Sequence, residues 1–178
     1  KVNNYYVYGG EKKDIIELGL YDEALIIFTS DHGEGMGEHN YYFGHGENLF
    51  NVLTHVPLII KYGNQLKGRR TEFVQHIDIV PTILKVADIK PKLRLRGHDL
   101  LKQDPVVKEI YATMSLPKDP KKKGNSLVSD GLKLLQNPEL TEPQHKEYQL
   151  FDLKVDSYEK YDLIDHSAYQ KQIEDMKI

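Results

Sequence analysis

The sequence predicts an α/β domain that gives way, near residue 105, to a small antiparallel sheet closed by a terminal helix. Three observations carry this reading. Two short runs, Leu25-Ile26-Ile27-Phe28 and Leu58-Ile59-Ile60, are apolar at consecutive positions, as in parallel strands covered by helices on both faces. The stretch "VQHIDIVPTILKVADI" then has the periodicity of a helix. Beyond residue 105 the apolar residues fall into short strand-like runs separated by polar, Pro- and Lys-containing loops.

Taken in order, residues 11–20 (EKKDIIELGL) place Ile15, Ile16 and Leu18 near one helical stripe, with Gly19 as the C-terminal stop. "YDEALIIFTSD" reads as a turn and then a strand from Ala24 to Thr29. Asn48 to Leu53 is expected as a short helix, and Val56 to Tyr62 as a strand that neighbours the first. A helix follows from Ile79 to Ala87, with Asp78 as its N-cap and Pro81 tolerated in its first turn. This alternation is an α/β pattern. In the second part, "VKEIYATM", "NSLVSDGLKLLQN" and "EYQLFDLKV" are expected as three strands, "KDPKKKG" (118–124) as a solvated hairpin loop, and the tail from Ser167 as a helix. The division is therefore 1–105 for the α/β part and 106–178 for a small α+β subdomain.

Composition narrows the classes of function. The 178 residues are 39% hydrophobic and 29% charged, as in a folded globular chain. A formal charge of −3 leaves no basic footprint for nucleic acid or an anionic membrane. No apolar run approaches the roughly 20 residues that span a bilayer. With no cysteine, disulfides, thiolate metal sites and a cysteine nucleophile are excluded within this chain.

Two strands with a few helices cannot bury both faces of "ALIIF", because a doubly covered sheet needs about four to six strands. The chain is therefore expected to be the C-terminal part of a larger α/β domain, beginning inside a helix. The alternative is that a partner chain completes the sheet, and a homo-oligomer stays open.

The chemistry concentrates in "IIFTSDHGEGMGEHNYYFGHGENLF", residues 26–50. In open α/β sheets ligands bind beyond the carboxyl ends of strands, and "SDHG" stands there. Asp31 and His32 are a common ligand pair for a divalent metal and can reach one point if the backbone turns at Gly33. His39 and His45 follow in the same glycine-rich loop, where a histidine can donate to an anionic ester or protonate its leaving oxygen. His55 is expected to help aim the chain into the next strand. In "HID" Asp78 is occupied as a cap, leaving His76 as a supporting residue.

These motifs, with "FGHGENLFNVLTHVPLIIKY", "LRGHDLL" and "EYQLFDLKVDSYEKYDLI" in the same order, resemble the C-terminal half of the sulfatases of the alkaline phosphatase superfamily, over roughly residues 14–165. The resemblance implies part of an alkaline-phosphatase-like mixed sheet flanked by helices. It also implies Asp31 and His32 as ligands of a divalent metal and His45 as the contact to the sulfate or phosphate group. Calcium is common in the family, while imidazole suits manganese or zinc better. The family's nucleophile, a formylglycine in active sulfatases, is expected in a missing N-terminal part, as is a pair of acidic metal ligands. The isolated chain is then expected to be inactive. The implied reaction is hydrolysis of a small aryl or carbohydrate sulfate ester. Close rivals are a phosphonate monoester hydrolase, a phosphodiesterase or a phosphoethanolamine transferase of the same fold. A non-catalytic fragment or pseudoenzyme is the reading from another class.

Overall fold

The computed structural model describes residues 12–63, 68–102, 109–116, 118–138 and 146–177. The expected domain boundary near residue 105 lies outside them.

Helix α1 (Lys12–Glu17) ends where Gly19, at φ 68°, lets Leu20 N donate to Ile15 O (3.1 Å) and Gly19 N to Ile16 O (2.9 Å). That paired closure needs a left-handed residue, which glycine supplies without a Cβ clash. Strand β1 (Leu25–Thr29) leads into the hairpin β2 (Gly35–Met36) and β3 (Tyr42–Gly44), the one-turn helix α2 (Asn51–Thr54), and strand β4 (Leu58–Tyr62). β1 and β4 pair antiparallel, with Phe28 opposite Ile59.

Antiparallel pairing corrects the expectation of two parallel strands. Parallel neighbours need a long crossover, usually a helix that spans the sheet. Here the intervening chain is spent on the hairpin and a single helical turn, so it folds back. Within this chain one face of the pair is left uncovered: Phe28 is 60% and Ile59 61% exposed. Continuous apolar runs fit a central parallel strand and a ribbon awaiting cover equally well.

Helix α3 (Ile79–Val86) follows a 3-10 turn, His76–Asp78. That turn shifts Asp78 from the expected N-cap to the third helical position. Its carboxylate accepts from Gln75 N, the residue that caps the turn, and from His98 N, each at 2.8 Å. "RGHDL" is thereby tied to the start of α3. Gly97 permits the approach, since a Cβ there would lie 2.0 Å from Ile77 O.

The C-terminal part is a four-stranded antiparallel meander: β5 (Glu109–Leu116), β6 (Asp119–Ser129), β7 (Leu132–Gln136) and β8 (Tyr148–Asp152). Three strands were expected. The run 125–137 is instead two strands, split at Asp130-Gly131 with both residues at positive φ (47° and 82°) and Ser129 paired with Leu132. Asp-Gly is a strong two-residue hairpin signal. "KDPKKKG" is not a free loop either: Asp119 pairs with Leu116 and Lys123 with Ser115 across an irregularity, so the strand begins inside it.

Side chains alternate across this sheet. Leu134 and Leu150 pack with Ile173 and Met176 of helix α4 (Gln170–Met176). On the other face Leu135 and Phe151 pack with Leu49 and Phe50, just ahead of α2. The C-terminal sheet thus braces the chain that carries the histidines. Among the described residues no helix is long and apolar enough to cross a membrane.

Candidate active site

The turn after β1 is built by short-range hydrogen bonds. Ser30 Oγ donates to His32 O at 2.6 Å, and His32 N donates to Asp31 Oδ1 at 3.0 Å. His76 Nε2 donates to Ser30 O at 2.8 Å and so fastens the end of β1 to the start of α3. The His32 backbone N–H, and after it the His32 imidazole, hold the exposed Asp31 carboxyl below its ordinary 3.8. Asp31 is a carboxylate at neutral pH.

His32 Nδ1 lies 2.8 Å from Gly33 O. A carbonyl only accepts, so Nδ1 carries a proton, and in the neutral ring Nε2 is then the nitrogen with the lone pair. That is the arrangement in which a histidine ligates a metal. Nε2 lies 3.6 Å from Asp31 Oδ2, so both donor atoms address the same space. The pair suits a divalent ion in chemistry and in tautomer. Among the described residues no group of three or more His, Asp or Glu converges on one point, so the two donors form no closed cage.

Gly33 was expected for a turn. Its φ is not positive, and close packing demands it instead: its N–H donates to Leu53 O at 2.9 Å, and a Cβ would lie 1.9 Å from Val52 O. The turn is pressed directly onto α2.

The hairpin places His45. Gly35 pairs with Gly44, so the next residues outward, Glu34 and His45, face each other. His45 Nδ1 lies 3.0 Å from Glu34 Oε2, and its ring stacks on His32 with centroids 4.3 Å apart at 26°. A Cβ on Gly35 or Gly44 would run into Tyr41, at 2.5 and 2.9 Å. With Nδ1 committed to Glu34, the imidazolium form of His45 has Nε2–H left to donate to an anion.

An open depression of about 450 Å3 lies between Ser30–Glu34 and His55–Pro57. His45 reaches it through His32 and Glu34 and does not line it. His39 is elsewhere: its ring lies flat on Phe50 (3.7 Å, 5°), and partial burial pushes its pKa below 6.5. Sequence reasoning left Glu34 without a role and gave His55 only a directing one. The β2–β3 register pairs Glu34 with His45, and the end of α2 brings His55 to the wall of the depression that Asp31 also lines.

The sulfatase family model matches residues 13–89, which contain this whole constellation. Bovine "Arylsulfatase K" is 36% identical over 86 residues, 48% of this chain and 16% of that protein. The chain thus spans about a sixth of the curated relatives it matches first, sulfatase YidJ of Escherichia coli included. A solved structure of BT4656, bound to its substrate D-glucosamine-2-N,6-O-disulfate, superposes with a TM-score of 0.75 at 21% identity, covering 92% of this chain and 34% of that one. Phosphonate monoester hydrolase of Agrobacterium radiobacter superposes at 0.68 and 21%, covering 90% and 34%. These two likenesses establish a shared alkaline-phosphatase-like fold. The family model thus lies over the histidine turn and its flanking strands, residues 13–89, and over that segment the chain is similar to the sulfatases.

Proposed function

We propose that this chain supplies the metal-and-anion wall of a metal-dependent sulfuric ester hydrolase, and that other polypeptide supplies the nucleophile and the remaining ligands. The observation that carries the reading is the convergence of an ionised Asp31 with Nε2 of His32, 3.6 Å apart at the rim of the depression. Asp31 and His32 would hold a divalent ion, with calcium, manganese and zinc as candidates. When bound, the ion polarises the ester oxygens and favours the anionic form of the nucleophile.

The chain's own residues do the rest. Glu34 fixes the ring of His45, which as imidazolium donates to the anionic group where charge develops during transfer. Ser30 and His76 hold the turn, so the Asp31 and His32 donors need not reorganise. The substrate class is a small anionic ester, an aryl or carbohydrate sulfate. The likeness to the phosphonate monoester hydrolase fold keeps phosphorus esters as the second reading.

Calorimetric titration of the intact protein with Ca, Mn and Zn salts, beside its Asp31→Ala variant, tests the ligand assignment. Affinity should fall by about tenfold or more; equal affinities would sink the assignment. Rates on an aryl sulfate against an aryl phosphonate monoester decide between the two chemistries, and a faster phosphonate would replace the sulfatase reading.

A further inference from the structure

Lys133 and Glu159 are each 1% exposed in their side chains, and their Nζ and Oε1 lie 2.7 Å apart. Burying two charges takes them out of water, and the attraction between them offsets that only when hydrogen bonding is complete. Lys133 Nζ donates to Asn51 Oδ1 at 2.9 Å and to Thr54 Oγ1 at 3.3 Å, whereas Glu159 Oε1 faces the ammonium as an ion-pair partner and accepts no hydrogen bond from the described residues. The second Glu159 oxygen accepts from Asn51 N at 2.5 Å, and Ser157 O accepts from Asn51 Nδ2 at 3.2 Å.

Every one of these bonds outside the pair ends on α2 or beside it, and α2 is the surface against which the site turn is pressed. Asn51 and Thr54 meet the pair; Val52 and Leu53 meet Gly33. Glu159 itself is held at φ 54°, a conformation that a non-glycine residue keeps only when its surroundings over-determine it. Asp156 supplies that constraint, its backbone O accepting from Glu159 N and its side chain from Tyr161 N at 2.8 Å. Burial pushes the Lys133 ammonium toward deprotonation, and the Glu159 carboxylate opposes this.

We infer that Lys133 and Glu159 are positioning residues for the reaction proposed above: their pair clamps α2, and α2 sets the turn that presents Asp31 and His32. A pair of well-packed apolar side chains could fill the same space at no loss of stability; what the charges add is a hold on three hydrogen-bonding groups of α2, Asn51 N, Asn51 Oδ1 and Thr54 Oγ1. The inference rests on the proposed function only for its catalytic readout.

The test replaces both charges at once, Lys133→Met with Glu159→Leu, in the intact protein. Hydrogen exchange of residues 30–55 is read without metal or substrate, alongside exchange of β7 and β8, and kcat and KM are read on an aryl sulfate. Ile173→Val, on the opposite face of the sheet, serves as a control for general loosening. The expected result is a folded variant whose exchange in residues 30–55 rises by about tenfold while β7 and β8 stay protected. Its kcat should fall by about tenfold or more, KM moving less than about threefold, with neither change in the control. Unchanged exchange in residues 30–55, or a rise equal to that of the control, would overturn the inference. Should the double variant not fold, Asn51→Ala removes the Lys133 acceptor while leaving the ion pair. The same local rise in exchange then supports the clamp, and its absence refutes it. Because exchange needs no metal, a wrong metal assignment at Asp31 leaves this result readable.

Discussion

The β1–β4 ribbon and the C-terminal sheet differ, among the described residues, in how completely they are covered. The β7–β8 pair is closed on both faces: Leu134 and Leu150 against Ile173 and Met176, Leu135 and Phe151 against Leu49 and Phe50. The β1–β4 ribbon carries the chemistry, yet Phe28, Ile59 and, on the flanking helices, Ile16, Val80 and Ile83 stand exposed among the described residues. The layer with the core is thus not the layer with the site. The histidine turn is held less by apolar burial beneath it than by hydrogen bonds and by α2, which leans on the C-terminal sheet.

Leu150→Ala should sharpen that contrast most. Leu150 is fully buried, and truncation there should cost about 2–5 kcal/mol in a denaturant melt of the intact protein. Phe28→Ala should cost no more than about 0.5 kcal/mol if its face is open in solution as it is here. A loss at Phe28 as large as that at Leu150 would break the comparison and mean that other polypeptide covers the ribbon.

Gly33→Ala comes next. Its methyl group would overlap Val52 O, so about 1–3 kcal/mol of stability should be lost as α2 shifts, with turnover falling alongside. An unchanged melting midpoint and unchanged kcat would show that turn and helix are not in fixed contact.

The smallest expected effect is at His39. Partial burial against Phe50 depresses its pKa below 6.5, so the unfolded chain binds this proton more readily than the folded one. The stabilisation is complete above the unfolded value and is lost as pH falls from there through the folded value. Because His39 is exposed, solvent screening should keep the effect under about 0.5 kcal/mol. Denaturation midpoints between about pH 8 and about pH 5 should decline less in His39→Phe than in the parent. Identical slopes would remove His39 from the account.

Much of this was legible in the residues because it is local. Gly19 marks a helix end since only a left-handed residue closes that motif, and the "SDHG" segment falls at a strand end because the apolar run stops there. Asp130-Gly131 was equally legible as a hairpin and was passed over inside a longer apolar run. Strand direction was not legible. Hydrophobicity at consecutive positions says how buried a strand can be, not which way its neighbour runs. Nor was the pairing of Lys133 with Glu159, since a lone lysine in a strand and a lone glutamate in a loop ordinarily read as solvent-facing.

The sequence by itself therefore determined the inventory: which residues can ligate, donate and turn, and which family's pattern they follow. Tertiary structure alone decided their company. The β2–β3 register put Glu34 on His45, the contact with α2 made Gly33 a packing residue and not a hinge, and the C-terminal part supplied a buried ion pair as the anchor of a helix 82 to 108 residues away in the chain. The physical reason is range. Backbone torsions and periodicity act over a few residues and are written in adjacent letters, whereas a hydrogen bond between distant segments depends on how whole layers dock.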